Sequence, residues 1–237
     1  MRNKICLWSG PRNISTALMY SFNSRLDTIV FDEPLYAHYL NYSRVKHPGY
    51  KEILDTYNTD GNQVVNDVIL RKYDRCISFF KLMSHFSIGL NLSFLKKVQN
   101  ILLLRNPLDV ISSYNQVIQN PTINDIGILY QYNLFNYFNE NNIEYVVVTA
   151  EDILQNPKQM LMRLCDKLNI DFTDKMLKWE KGPKDIDGIW GKYWYSGVHK
   201  TDRFVLNKKK IINLSKKNIL LYHDSLKYYN LLIKYKI

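Results

Sequence analysis

The stretch VQNILLLR, residues 98–105, constrains the fold more than any other part of the chain. An apolar run without alternation suits a strand buried on both faces, and such strands belong to parallel sheets covered by helices on each side. Arg105 closes the run, where a charge is tolerable because the strand is ending at the sheet's carboxyl edge. Asn106-Pro107 follows at once as an N-cap and first-turn proline, with Asp109 in the first turn of the helix. The same alternation recurs along the chain. KICLW (4–8), TIVFD (28–32), CISFFKL (76–82) and EYVVVTA (144–150) read as strands. Helices are expected to about Phe22, over QVVNDVILRKY and IGILYQYNLFNYFNEN, and over KQMLMRLCDKL after Asn156-Pro157. The pattern predicts an α/β fold, a three-layer parallel sheet with helices on both faces.

With 237 residues, 46% of them hydrophobic, the chain can bury a sizeable core, and a single domain over 1–237 is expected. From Lys178 to Phe204 the periodicity breaks into a Gly- and Trp-rich segment, followed by C-terminal helices; so long an irregular stretch points to work at a site. No apolar run approaches the roughly 18 residues of a membrane span, and MRNKICLWSG lacks a secretory apolar core, so a cytoplasmic location is expected. Cys6, Cys76 and Cys165 are too scattered for a zinc pattern and read as core thiols; no metal is expected. The formal charge of +10 favours an acidic partner such as a phosphorylated small molecule. Lys208–Lys210 and Lys216–Lys217 fit a solvated helix face, and no stripe of interleaved basic and aromatic residues suggests nucleic acid.

Chemistry concentrates in LWSGPRNISTALMYSF (7–22), where a strand passes through Gly10 and Pro11 into a helix. The first amides of a helix lack intrahelical partners and carry the positive end of its dipole, so they can seat a phosphate or sulfate. Ser15 and Thr16 add hydroxyls and Arg12 a guanidinium fork; the same residues could instead only cap the helix. No lysine stands where an ATP-type phosphate loop requires one. A second anion grip is available at mid-chain, in Arg105 and in Ser113 two turns along the next helix.

Together the two segments resemble the sulfotransferase family, whose members use 3'-phosphoadenosine 5'-phosphosulfate (PAPS) as donor. The family's 5'-phosphosulfate loop has a Pro-(Lys/Arg)-Ser-Gly-(Ser/Thr)-Thr core, met here by Pro11, Arg12, Asn13, Ile14, Ser15 and Thr16. Its 3'-phosphate motif, an Arg closing a strand and a Ser eight residues on, is met by Arg105 and Ser113. VVVTAEDILQNPKQMLMRLCDKLNIDF is similar to the strand, acidic turn and helix that come later in the family. The resemblance implies a P-loop NTPase-like fold, PAPS as co-substrate, no metal, and a small-molecule or sugar-like acceptor bearing a hydroxyl or amine. It implies that Gly10 to Thr16 hold the 5' end of the donor, with Arg12 also catalytic, and that Arg105 and Ser113 grip the 3'-phosphate. The proton acceptor is expected to be Glu33 or His85, with Lys81 nearby. Lys200 and Arg203, with Trp194, fall where the family closes a loop over the donor.

Ile14 stands where many relatives carry Gly; if the backbone there needs positive φ, a β-branched residue would be strained. Two other functions fit the same residues: a nucleotide-dependent phosphotransferase, and a non-catalytic binder of a phosphorylated nucleotide. The sulfotransferase reading requires that Arg12 and Arg105 share one cleft.

Overall fold

A computed structural model describes residues 3–206 and 214–237. Five strands, β1 (Asn3–Ser9), β2 (Thr28–Asp32), β3 (Ile77–Met83), β4 (Gln99–Leu104) and β5 (Tyr145–Thr149), form one sheet in the order β2-β3-β1-β4-β5. All four pairings are parallel. Around it lie α1 (Ser15–Asn23), α2 (Tyr36–Ser43), α3 (Tyr50–Thr56), α4 (Gly61–Val64), α5 (Pro107–Tyr114), α6 (Ile128–Glu140), α7 (Ala150–Gln155), α8 (Pro157–Lys167), α9 (Gly191–Trp194) and α10 (Lys216–Leu232).

Successive strand residues point to opposite faces, and the core divides accordingly. Cys6, Trp8, Phe80, Leu82, Leu102 and Leu104 pack with side chains from α2, α5, α6 and α10. Ile5, Leu7, Phe79, Ile101 and Leu103 pack instead with α1 and α8. This is the expected α/β sheet with helices on both faces. The full burial of β3 and the apolar run Ile101–Leu104 in β4 follow from that double burial.

The helix starts follow local chemistry. The Asn106 side chain accepts from the Leu108 amide at 3.0 Å, with Pro107 opening α5, and Asn156 caps α8 in the same manner. Two details differ from expectation. The helix foreseen over residues 63–73 stops early: α4 runs into a π-helical turn at Val65–Ile69, and the chain bends before β3. There the Tyr73 hydroxyl reaches back to the Val68 carbonyl at 2.8 Å, turning the segment instead of extending it. Cys76 is exposed at the approach to β3, so only Cys6 and Cys165 are core thiols. Lys216 and Lys217 are exposed at the start of α10, while 208–210 lie outside the described residues. Among the described residues no helix is long and apolar enough to cross a membrane.

Candidate functional site

β1 occupies the middle of the sheet, and the chain leaves its carboxyl end between the ends of β3 and β4. In a parallel sheet that position, where connections diverge to either side, is the usual ligand crevice. A cleft of about 340 Å³ opens there.

Residues 10–14 shape one wall. The chain turns at Arg12, which adopts φ 53°, whereas Ile14 sits at φ −84°. The strain foreseen for a β-branched residue at position 14 therefore does not arise. Ile14 is the N-cap of α1 and no side chain caps the helix, so Ser15 and Thr16 are not consumed as caps. Among the described residues the amides of Ser15, Thr16 and Ala17 make no backbone hydrogen bond. Asn13 is the internal brace: its Oδ1 accepts from the Ile14 amide at 2.8 Å and its Nδ2 donates to the Leu103 carbonyl at 2.9 Å.

Arg12 and Arg105 meet in this cleft. Arg105 Nη1 donates to the Arg12 carbonyl at 2.8 Å, and Arg12 Nε donates to Ser113 Oγ at 3.0 Å. A further bond runs from Arg12 Nη1 to the Trp194 carbonyl at 3.1 Å. Among the described residues no ion pair includes either arginine. Burial, and then the neighbouring Arg105, hold the Arg12 pKa below its ordinary value. Two adjacent cations without a carboxylate, beside unpaired helix amides, form a donor set suited to a multiply charged anion.

The opposite end of the cleft is built on β2 and β3. Register places Asp32 beside Lys81, and the Glu33 amide donates to the Lys81 carbonyl at 2.9 Å. Glu33 then turns the chain at φ 46° before Pro34, a left-handed conformation costly for a non-glycine residue. Lys81 is fully buried; its ammonium donates to Asp32 at 2.8 Å, to Glu33, and to the Tyr195 hydroxyl at 2.5 Å. Burial lowers the affinity of Lys81 for its proton, but the two carboxylates outweigh it and the pKa rises. Glu33 is raised to about 7, chiefly because burial disfavours its charge, with Lys81 opposing and Asp32 adding to the rise.

His85 follows β3 in a short 3-10 turn and lines the cleft, buried against Tyr39 and Phe86. Burial, then His47, push its pKa down to about 3, and its Nδ1 has no hydrogen-bond partner among the described residues.

The cleft thus gathers Pro11, Arg12, Asn13, Ile14, Ser15, Thr16, Glu33, His85, Arg105, Ser113 and Arg203. Two expected residues lie elsewhere. Gly10 sits behind the loop, where a Cβ would fall 2.6 Å from the Ile126 carbonyl oxygen; its glycine character serves packing of the 122–127 turn. Lys200 is exposed and does not line the cleft. Arg203 is at the rim, exposed and paired with Asp202 at 2.9 Å. Trp194 stacks on Tyr114 with ring centroids 6.2 Å apart. Sequence reasoning missed Asp32, Tyr195 and Trp190, and gave no role to His47, which lines the cleft and pairs with the Tyr36 hydroxyl at 2.8 Å. Lys81 offered a signal for Asp32, since a lysine inside an apolar strand must find a counter-charge.

The fold and cleft define a parallel α/β protein with a cationic crevice at the carboxyl edge of its sheet. The chain belongs to the sulfotransferase family, whose sulfotransferase domain model matches residues 3–235. Branched-chain-amino-acid aminotransferase-like protein 1 of Arabidopsis thaliana is 34% identical over 226 residues, covering 95% of this chain and 40% of that protein. Protein 2 of the same name and organism is 34% identical over 198 residues, covering 83% of this chain and 35% of its own length. The chain therefore spans less than half the length of these relatives. Among solved structures, the sulfotransferase domain from the curacin biosynthetic pathway superposes with TM-score 0.56 at 15% identity, covering 96% of this chain and 98% of the other. A sulfotransferase from Alicyclobacillus acidocaldarius gives 0.55 at 9% identity, covering 100% and 98%. These two similarities are of fold.

Proposed function

We propose that the chain transfers a sulfuryl group from PAPS to the hydroxyl or amine of a small-molecule acceptor. The observation that carries this reading is the meeting of Arg12 and Arg105 in one cleft, directly bonded and, among the described residues, without carboxylate partners. The two grips, one from the start of the chain and one from mid-chain, together with the amides of Ser15 and Thr16, free among the described residues, offer enough donors for a ligand with two anionic groups. PAPS has that form.

In this reading Arg105 and Ser113 bind the 3'-phosphate, and the Ser15 and Thr16 amides and hydroxyls hold the 5'-phosphate. Arg12 donates to the sulfuryl and bridging oxygens, where negative charge grows as the sulfur–oxygen bond to the leaving phosphate breaks. Glu33 takes the proton from the acceptor as its oxygen or nitrogen bonds to sulfur. A carboxylate held near neutrality is matched to that task. His85 is less suited, because an imidazole whose pKa has fallen to about 3 binds a proton too weakly. His85 and His47 instead offer the acceptor neutral hydrogen-bonding rings.

Incubation with PAPS carrying labelled sulfate, across a panel of phenols, alcohols, amines and sugars, tests the reading. Labelled product that disappears in Arg12→Ala supports it. Tight nucleotide binding with no transfer to any acceptor would favour the non-catalytic binder, and transfer from ATP instead would favour the phosphotransferase.

A further inference from the structure

The base cluster contains a residue from a distant part of the chain. Tyr195 belongs to the 178–204 segment, yet its hydroxyl lies 2.8 Å from both oxygens of Asp32 and 3.4 Å from Glu33 Oε1. It receives Lys81 Nζ at 2.5 Å and Trp190 Nε1 at 3.0 Å, so its one proton goes to Asp32 and both acceptor positions are filled. Asp32 also receives the Gly188 amide at 2.9 Å and Trp190 Nε1 at 3.1 Å.

The charges do not balance evenly. One ammonium faces two carboxylates, and nearly all the supporting donors converge on Asp32. Among the described residues the Glu33 side chain has only Lys81 and the long contact to Tyr195. Its second oxygen makes no hydrogen bond among the described residues and is not fully enclosed, and the residue lines the cleft. Asp32 is therefore committed to Lys81, and Glu33 is left to exchange a proton.

We propose that Tyr195 is a positioning residue for the proton acceptor: by tying Asp32 to Lys81 it makes Glu33 the carboxylate that exchanges a proton with the acceptor substrate. The inference rests on the sulfotransferase reading for its purpose but on the cluster's geometry for its content. The groups facing Glu33 are Asp32 from β2, Lys81 from β3, Tyr36 from α2 and Tyr195 itself. Adjacent Trp194 accepts from Arg12 through its carbonyl, so one dipeptide touches both the anion grip and the base cluster.

Removing the hydroxyl takes a donor from Asp32 and an acceptor from Lys81. The ammonium then leans further toward Asp32, and Glu33, losing part of its counter-charge, holds its proton more tightly. Carboxyl-13C glutamate labelling, with the Glu33 resonance assigned by its absence in Glu33→Gln, reads this without any acceptor. In Tyr195→Phe the Glu33 titration midpoint is expected to rise by about one pH unit, a tenfold change in proton affinity. Trp190→Phe, which removes a donor to the same Asp32 oxygen and the same hydroxyl, is expected to move it in the same direction by less. It carries the test if Tyr195→Phe does not fold. An unmoved or lowered midpoint in a folded variant overturns the proposal. A raised midpoint in a protein that transfers no sulfate would support the positioning role and count against the sulfotransferase reading alone.

Discussion

Glu33→Gln should sharply lower turnover and stabilise the fold. The carboxyl rises from its ordinary 4.5 to about 7 on folding. Between those values the native chain binds the proton that the unfolded chain has released, so stability falls as pH rises through this window. The loss is fully developed above pH 7 and absent below the unfolded value. An interval of about 2.5 pH units at 1.36 kcal/mol each gives a penalty of about 3 kcal/mol at pH 8. Glutamine imitates the protonated carboxyl and keeps an oxygen for Lys81, so the variant escapes most of this penalty. Urea unfolding followed by fluorescence of the four tryptophans measures the difference. Glu33→Gln should be the more stable protein by about 2–3 kcal/mol at pH 8, with the two curves converging toward pH 5, while turnover drops roughly 10²–10⁴-fold. A variant less stable than the parent at pH 8, or a gap independent of pH, would show that Glu33 is held as a structural ion-pair partner of Lys81, and the mechanism would lose its base.

Arg12→Ala should lower turnover by about 10²–10³-fold, the range for removing a donor to charge that develops in a transition state, as measured with saturating PAPS. His85→Asn should cost less than the roughly hundredfold loss that deletion of a general base brings, with any effect falling mainly on the KM of the acceptor. Gly10→Ala should destabilise by about 1–3 kcal/mol in the same unfolding assay, because its methyl meets the Ile126 carbonyl oxygen 2.6 Å away and the 122–127 turn must shift.

Much of the sheet was legible because burial on both faces leaves strands such as ILLL at 101–104 with no polar residue to hide them. The Asn-Pro helix starts were legible because a capping side chain and a first-turn proline are local sequence: Asn106 and Asn156 cap where they were expected to. The backbone path of the loop was not. Its positive φ falls on Arg12 and not on Ile14, a choice fixed by bonds from Arg105 and Asn13 to parts of the chain about ninety residues away. Tyr195 and Trp190 were equally hidden. They belong to a segment without periodicity, and their function is defined only by Asp32, 163 and 158 residues distant. Lys200 looked equivalent to Arg203 in a basic, aromatic stretch, but a 3-10 turn at Val198–Lys200 leaves it outside the cleft.

Calorimetric titration with 3'-phosphoadenosine 5'-phosphate and with adenosine 5'-phosphate most directly tests whether both arginines serve one doubly phosphorylated ligand. Charged hydrogen bonds from Arg105 and Ser113 are worth about 1.5–3 kcal/mol, so the 3'-phosphate should tighten binding by roughly tenfold to a hundredfold, and Arg105→Ala should erase most of that preference. Equal affinity for the two nucleotides in the unaltered protein would contradict the account.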